Sequence, residues 1–240
     1  MLFNQFGRFR SLHTRLSSSV AALPKVSGVQ AKHLNEQCIA VDENDNALHP
    51  ISKKNCHFIP TMALHRAFSV FLFTNDGLLV LQKRSPSKIT FPSVWTNSCC
   101  SHPLWNEREL QMSNNFIGVR RAAQRKLSHE LGIDKISLDR MQVMGRFIYS
   151  SNSDKEWGEN ELDYAIVVTD FDVAVIKPNP EEVEEVMTVN AGKLQDLIKG
   201  ELKFSPWFSL FVQQHFLYTW WKNLENLEKV SDTTTVHRLN

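Results

Sequence analysis

Two apolar, β-favouring runs at residues 67–73 and 78–83 enclose Thr74, Asn75, Asp76 and Gly77. No other local feature restricts the fold as much. Asp-Gly tolerates the positive φ of a tight turn, so the two runs read as the arms of a hairpin. Further along the period changes. Phe116, Val119, Ala123, Leu127 and Leu131 recur at steps of three or four, Ser113 or Asn114 can cap the start, and Gly132 can end it. The spacing therefore predicts a helix over 113–132. Residues 38–41 read as a short strand entering the polar turn at 42–46. Strands are also expected at 141–149, 162–169 and 186–189, and helices at 191–198 and 207–227. Strands and helices mixed along one chain indicate an α/β (α+β) layered domain with a mixed sheet.

With 22% charged and 42% hydrophobic residues, 9 Gly and 9 Pro, the chain of 240 residues is neither fibrous, collagenous nor disordered. Its formal charge of +1 argues against binding nucleic acid through a general basic surface. That figure averages two unlike parts. Residues 1–35 contain no Asp or Glu but carry Arg8, Arg10, Arg15, Lys25 and Lys32, leaving 22 basic and 26 acidic residues elsewhere, a formal −4. Residues 1–28 combine Arg with Ser clusters, and Leu2, Phe3, Phe6, Phe9, Leu12 and Leu16 recur at helical spacing. This is the composition of an amphipathic mitochondrial presequence, a disordered extension being the other reading. We expect a targeting extension over 1–28 and one catalytic domain over 29–240.

A secretory signal is disfavoured because no apolar core of adequate length follows the charges. No membrane span is expected: the apolar stretch 207–221 is interrupted by Gln213, Gln214 and His215. Adjacent Cys99 and Cys100, with Cys38 and Cys56, lack the spacing of a disulfide framework, which favours a reducing compartment. The expected location is mitochondrial or cytoplasmic. A peroxisomal address is disfavoured because Asn240 follows Leu239 and His237 is not small.

Chemistry-bearing residues cluster in a few motifs. His57 closes KKNCH, His65 precedes the strand HRAFSVFLF, and His102 lies in TNSCCSHP. In WGENELDY, Glu159 and Glu161 sit two apart, so on a strand both carboxylates face the same way and can converge on one metal ion. A solvated strand end is the alternative. A zinc site built from Cys56, Cys99, Cys100 and His102 is disfavoured, because adjacent thiolates cannot easily reach one tetrahedral ion. One of the paired cysteines is expected to be buried and inert, the other chemically active beside Ser101 and His102. In QKRSPSKITFP, Arg84 and Lys88 lie four apart beyond a strand; with Lys53 they make either a cradle for a compact anion or a solvated basic loop.

The helix ends in RKLSHELGI, which resembles the second half of a Nudix box. Arg125, Leu127, Glu130, Gly132 and Ile133 match, whereas Lys126 and His129 replace acidic residues, and Gln111 and Ile117 stand where the first half has Gly and Glu. A Nudix hydrolase uses those carboxylates to hold Mg²⁺, so pyrophosphate hydrolysis loses its main apparatus here. HRAFSVFLF, RSPSKITFP, TNSCCSHP, WGENELDY and SPWF, in this order along the chain, together resemble the type I isopentenyl-diphosphate isomerase family, a Nudix-fold family. The resemblance runs from about residue 33 to about 227 and implies a Nudix-like mixed β-sheet sandwiched between helices.

It further implies Cys100 and Glu161 as catalytic residues, with Tyr149 and Trp207 as active-site aromatics. It places metal ligands at His57, His65, His102, Glu159 and Glu161. Lys53, Arg84 and Lys88 match diphosphate-binding positions, Ser101 a substrate contact, and Lys126 a further basic residue near the diphosphate. Glu130 matches a carboxylate that helps hold a second Mg²⁺ arriving with the diphosphate. The implied reaction interconverts isopentenyl and dimethylallyl diphosphate, precursors for isoprenoid and sterol biosynthesis, through a tertiary carbocation that an indole face can stabilise. The His/Glu site should hold a divalent ion, with three imidazoles suiting Mn²⁺ or Zn²⁺ better than Mg²⁺. No flavin is expected. The partner is a small isoprenoid diphosphate, and the chain is expected to be a monomer.

Overall fold

The computed structural model describes residues 28–134 and 136–239. Apart from Gly28, the targeting extension expected over 1–28 lies outside the described residues, as does Asn240. In chain order the elements are α1 (Gly28–His33), β1 (Gln37–Val41), β2 (Ala47–Ser52), α2 (Lys53–His57), β3 (His65–Thr74), β4 (Leu79–Arg84), β5 (Trp95–Thr96) and β6 (Cys99–Ser101). There follow α3 (Ser113–Leu131), β7 (Gln142–Asn152), β8 (Gly158–Phe171), β9 (Val183–Val189), α4 (Ala191–Lys199), α5 (Pro206–Gln213), α6 (Phe216–Trp221) and β10 (Asp232–Arg238).

β3 is buried along its whole length, as a central strand with both faces covered must be. It pairs in parallel with β8, which runs antiparallel to β7, and β10 adds in parallel to the far side of β7. The two faces of this sheet bury different residues. Phe68, Val70, Leu72, Leu162 and Ile166 pack with Val119, Ala123, Leu127 and Leu131 of α3. Phe71, Phe73, Ala165 and Val167, at the alternate positions, pack with Phe208, Phe211, Leu217 and Trp220 of α5 and α6. The strand period of two thus separates the two sides of a helix–sheet–helix sandwich, and the layered α/β class read from the sequence is the one observed.

The same period places the site. His65, Glu159, Glu161 and Tyr149 share strand parity with Phe71, Ala165, Val167 and Phe147, which belong to the face covered by α5. The β3–β8 register sets His65 opposite Glu161, and the β7–β8 register sets Tyr149 opposite Glu161. Three neighbouring strands therefore deliver one imidazole, one carboxylate and one phenol to a single point.

Three local expectations are corrected. The hairpin turn forms, with Gly77 at φ 75°, but β3 and β4 pair only at Phe73 and Leu79. β4 then turns away to pair with β9 from Leu79 to Arg84, because β6, paired with Phe68, Ser69 and Val70, occupies the edge of β3 along which the hairpin would continue. The helix over 113–131 is not capped by Ser113 or Asn114: Asn114, Asn115 and Phe116 all have positive φ, and the right-handed part starts after them. Arg120 donates to the carbonyl oxygens of Asn114 and Leu138, which holds this left-handed turn in place. The single helix expected over 207–227 is broken at His215, φ 63°, into α5 and α6. The break lets Phe211 and Trp220 meet at 5.5 Å over the same sheet face. Gly132 ends α3 at φ 66° as expected.

Candidate active site

Three imidazoles form a nearly equilateral triangle. The ring centroids of His57 and His65 are 5.0 Å apart, and each lies 4.9 Å from that of His102. His57 Nδ1 faces the Gly158 carbonyl at 3.0 Å and His65 Nδ1 faces the Ala63 carbonyl at 2.8 Å. With Nδ1–H donated to the backbone, each ring turns an Nε2 lone pair inward, the arrangement seen when histidine binds a metal. His65 Nε2 is buried without a hydrogen-bond partner, and so is His102 Nδ1. Glu161 closes the group: its Oε1 lies 2.9 Å from His102 Nε2 and 3.6 Å from His65 Nε2. His57, His65, His102 and Glu161 each offer one ligand atom within 4.8 Å of the others. An orphaned buried nitrogen, two backbone-anchored rings and a carboxylate fit a divalent cation.

Burial would lower all three imidazoles. Repulsion from His102 and His65 deepens the drop at His57, His102 sits at about 3, and the Glu161 carboxylate holds His65 up instead. Burial would raise Glu161, but its contacts with His102 and His65 prevail and hold it well below the usual range.

Glu159 falls outside this four-residue group. Its Oε1 accepts from Thr90 Oγ1 at 2.9 Å, and its Oε2 lies 2.7 Å from the Tyr149 hydroxyl. The same hydroxyl is 2.5 Å from Glu161 Oε2, so one phenol bridges both carboxylates. Burial, then repulsion from Glu161, raises Glu159 to about 7. The WGENELDY carboxylates converge on a tyrosine, and only Glu161 also reaches the imidazoles.

One cavity of about 50 Å³ is lined by Glu159, Glu161, Tyr149, His57 and His102 on this side. Cys100, Ser101, Arg84 and Trp207 line it as well, and Lys53 and Lys88 add cations. Burial, partly offset by Arg84, pushes the Cys100 thiol up to about 12, so at neutral pH it keeps its proton. Cys99, its neighbour, is fully buried against α3, the inert member of the pair. Arg84 is a hub. Its Nη1 donates to Cys100 Sγ at 3.4 Å, Nε to the Phe91 carbonyl at 2.9 Å and Nη2 to the Thr90 carbonyl at 2.8 Å. Its guanidinium also lies over the Trp207 ring, 5.4 Å from the centroid, while Trp207 Nε1 donates to Asn97 Oδ1 at 2.9 Å.

His65, Lys126 and Glu130 stand behind this lining. Lys126 Nζ is 3.2 Å from Glu130 Oε1, and Gln82 donates to Glu130 Oε2 at 3.2 Å. Burial would raise Glu130, but Lys126 and Lys88 hold it below its ordinary value.

The sequence matches the NUDIX domain family over residues 63–208. It is 46% identical to isopentenyl-diphosphate Delta-isomerase 1, chloroplastic, of Cannabis sativa, covering 85% of this chain and 75% of that one. Against isopentenyl-diphosphate Delta-isomerase II, chloroplastic, of Arabidopsis thaliana the figures are 43%, 99% and 94%. Against isopentenyl-diphosphate Delta-isomerase 1 of Mus musculus they are 44%, 88% and 95%. The chain belongs to the isopentenyl-diphosphate Delta-isomerase family.

For a member of that family, reading motifs alone overlooked several residues of the site. Ser69 and Thr90 line the cavity, and Ser69 donates to buried Asp163 at 2.7 Å. A serine at His65's parity inside an otherwise apolar strand was the available signal for the first, and Thr90 sits within the quoted loop motif. Glu182, which ion-pairs with Lys88, lies in a loop with no motif to mark it. Among the described residues no helix is long and apolar enough to cross a membrane.

Proposed function

We propose that this chain interconverts isopentenyl diphosphate and dimethylallyl diphosphate by protonating and deprotonating the carbon skeleton through a tertiary carbocation, with a divalent cation at the His/Glu group. One observation carries the reading: a thiol held in its acid form and a carboxylate held in its base form line the same small cavity. Moving a double bond requires adding a proton at one carbon and removing one from another, and Cys100 and Glu161 are the pair suited to it. Tyr149 bridges Glu161 to Glu159, whose pKa of about 7 lets it hold or release the transferred proton near neutrality. Lys53, Arg84 and Lys88 line the cavity as the cations that would grip a diphosphate. Glu130, stabilised as a carboxylate, would help hold an Mg²⁺ arriving with that diphosphate, and Lys126 beside it would be a further cation near the diphosphate.

The cavity has room for only a few water molecules. Closing this pocket over the substrate would protect a carbocation from quenching, and the indole of Trp207 contributes a π-face of the kind that stabilises cations. A cation at His57, His65, His102 and Glu161 would fix the orientation of Glu161 and neutralise charge beside it. The experiment is conversion of isopentenyl to dimethylallyl diphosphate by the full chain with Mg²⁺, Mn²⁺ or Zn²⁺ and without flavin. Cys100→Ala should retain the fold and diphosphate binding and lose turnover by several orders of magnitude. If the intact protein yields no allylic product with any of these ions, the reading fails.

A further inference from the structure

A second convergence of ligand atoms lies apart from the triad of imidazoles. His33, at the end of α1, and His129, in the last turn of α3, meet over Glu182 from the loop before β9. Their rings are 5.3 Å apart at 58°. Both turn Nδ1 to the same oxygen: Glu182 Oε1 lies 3.4 Å from His33 Nδ1 and 3.8 Å from His129 Nδ1. In a tetrahedral site with bonds of about 2.1 Å, neighbouring ligand atoms stand about 3.4 Å apart. The group is anchored. Asn179 receives the Glu182 N–H at 2.9 Å, and its own amide donates to the His129 carbonyl at 3.3 Å, tying the loop to the end of α3. Glu182 is buried while both histidines are half-buried, so an ion could arrive from solvent and keep water on its open side.

Two ammonium groups now compete for these acceptors. Lys88 pairs with Glu182 Oε2, and Lys126 Nζ lies 3.0 Å from His129 Nδ1. Gln30 also donates to Glu182 Oε1, at 3.4 Å. A dication beside both lysines would be repelled, but Lys88 lines the cavity as well. An anion bound there would draw Lys88 toward itself and release the Glu182 carboxylate. We infer that His33, His129 and Glu182 form a second transition-metal site, outside the catalytic cavity, that is coupled to occupancy of the cavity by a diphosphate. Two imidazoles and one carboxylate suit Zn²⁺ or Co²⁺ over Mg²⁺. The coupling, though not the ligand set, rests on the diphosphate reading above.

Equilibrium dialysis of the full chain against buffered free Co²⁺, with and without inorganic pyrophosphate, tests this without using turnover. Pyrophosphate should tighten one equivalent of Co²⁺ by roughly five- to hundred-fold, and that equivalent should carry imidazole-ligated visible bands. The double variant His33→Ala/His129→Ala should lose that equivalent and its bands while retaining the remaining cobalt and its circular dichroism. His129→Glu, which replaces the imidazole by a carboxylate ligand, should retain cobalt binding with altered bands. The same cobalt stoichiometry and spectrum in the double variant would overturn the site. Pyrophosphate that binds in calorimetry but leaves cobalt affinity unchanged would overturn the coupling. If pyrophosphate does not bind at all, the cationic cradle and the coupling fall together. Absence of isomerisation with the cobalt results intact would sink only the catalytic reading.

Discussion

Tyr149→Phe isolates the hydroxyl that bridges Glu159 and Glu161. The ring stays, so packing near Trp207, 6.1 Å away, is preserved and no cavity beyond one oxygen is created. The loss is the hydroxyl 2.5 Å from Glu161 Oε2 and 2.7 Å from Glu159 Oε2. A hydrogen bond to a charged group contributes about 1.5–3 kcal/mol. At about 1.4 kcal/mol per unit, removing a donor that favours the carboxylate raises the pair's titration by about one to two units. Glu159 starts at about 7, where burial and Glu161 have placed it. The acid limb of the pH–rate profile should therefore move alkaline by about one to two units, and kcat at neutral pH should fall about five- to fifty-fold with KM little changed.

Stability gives an independent reading. A carboxyl whose pKa is raised on folding binds its proton more tightly in the native state. Its contribution is then lost as pH rises from the ordinary value of 4.5 through about 7. In the metal-free variant that decline should continue to about pH 8–9, which urea unfolding at pH 5, 7 and 9 would reveal. An acid limb at the wild-type position, with wild-type pH dependence of stability, would refute the bridging role.

Other expectations follow from the geometry. Arg84→Lys keeps the charge but loses the fork that reaches Cys100, Thr90 and Phe91. Pyrophosphate binding measured by calorimetry should weaken roughly ten- to hundred-fold, the equivalent of one or two lost charge-assisted bonds. Gly118→Ala should destabilise the protein by about 1–3 kcal/mol despite alanine's better helix propensity. A Cβ there would lie 2.3 Å from the Glu109 carbonyl oxygen and 2.7 Å from that of Gln111, both backbone atoms. The urea midpoint reports it.

The sequence by itself determined the main strands, the end of α3 at Gly132, and most of the motifs whose side chains line the cavity. These depend on local chemistry: a period of two or 3.6, a residue that tolerates positive φ, and motifs in order. It also separated Cys99 from Cys100 in role, although not which would be buried. Only the tertiary structure decided the rest. β4 leaves its hairpin because β6 already occupies the edge of β3 along which it would continue. His215 breaks the last helix because two short helices cover the sheet's aromatic face. The Tyr149 bridge arises from the β7–β8 register, and the meeting of His33, His129 and Glu182 from docking α1 and a loop against the end of α3. Side chains far apart in the chain become one chemical group only when strand register and helix docking fix their distances, and no local pattern encodes those distances.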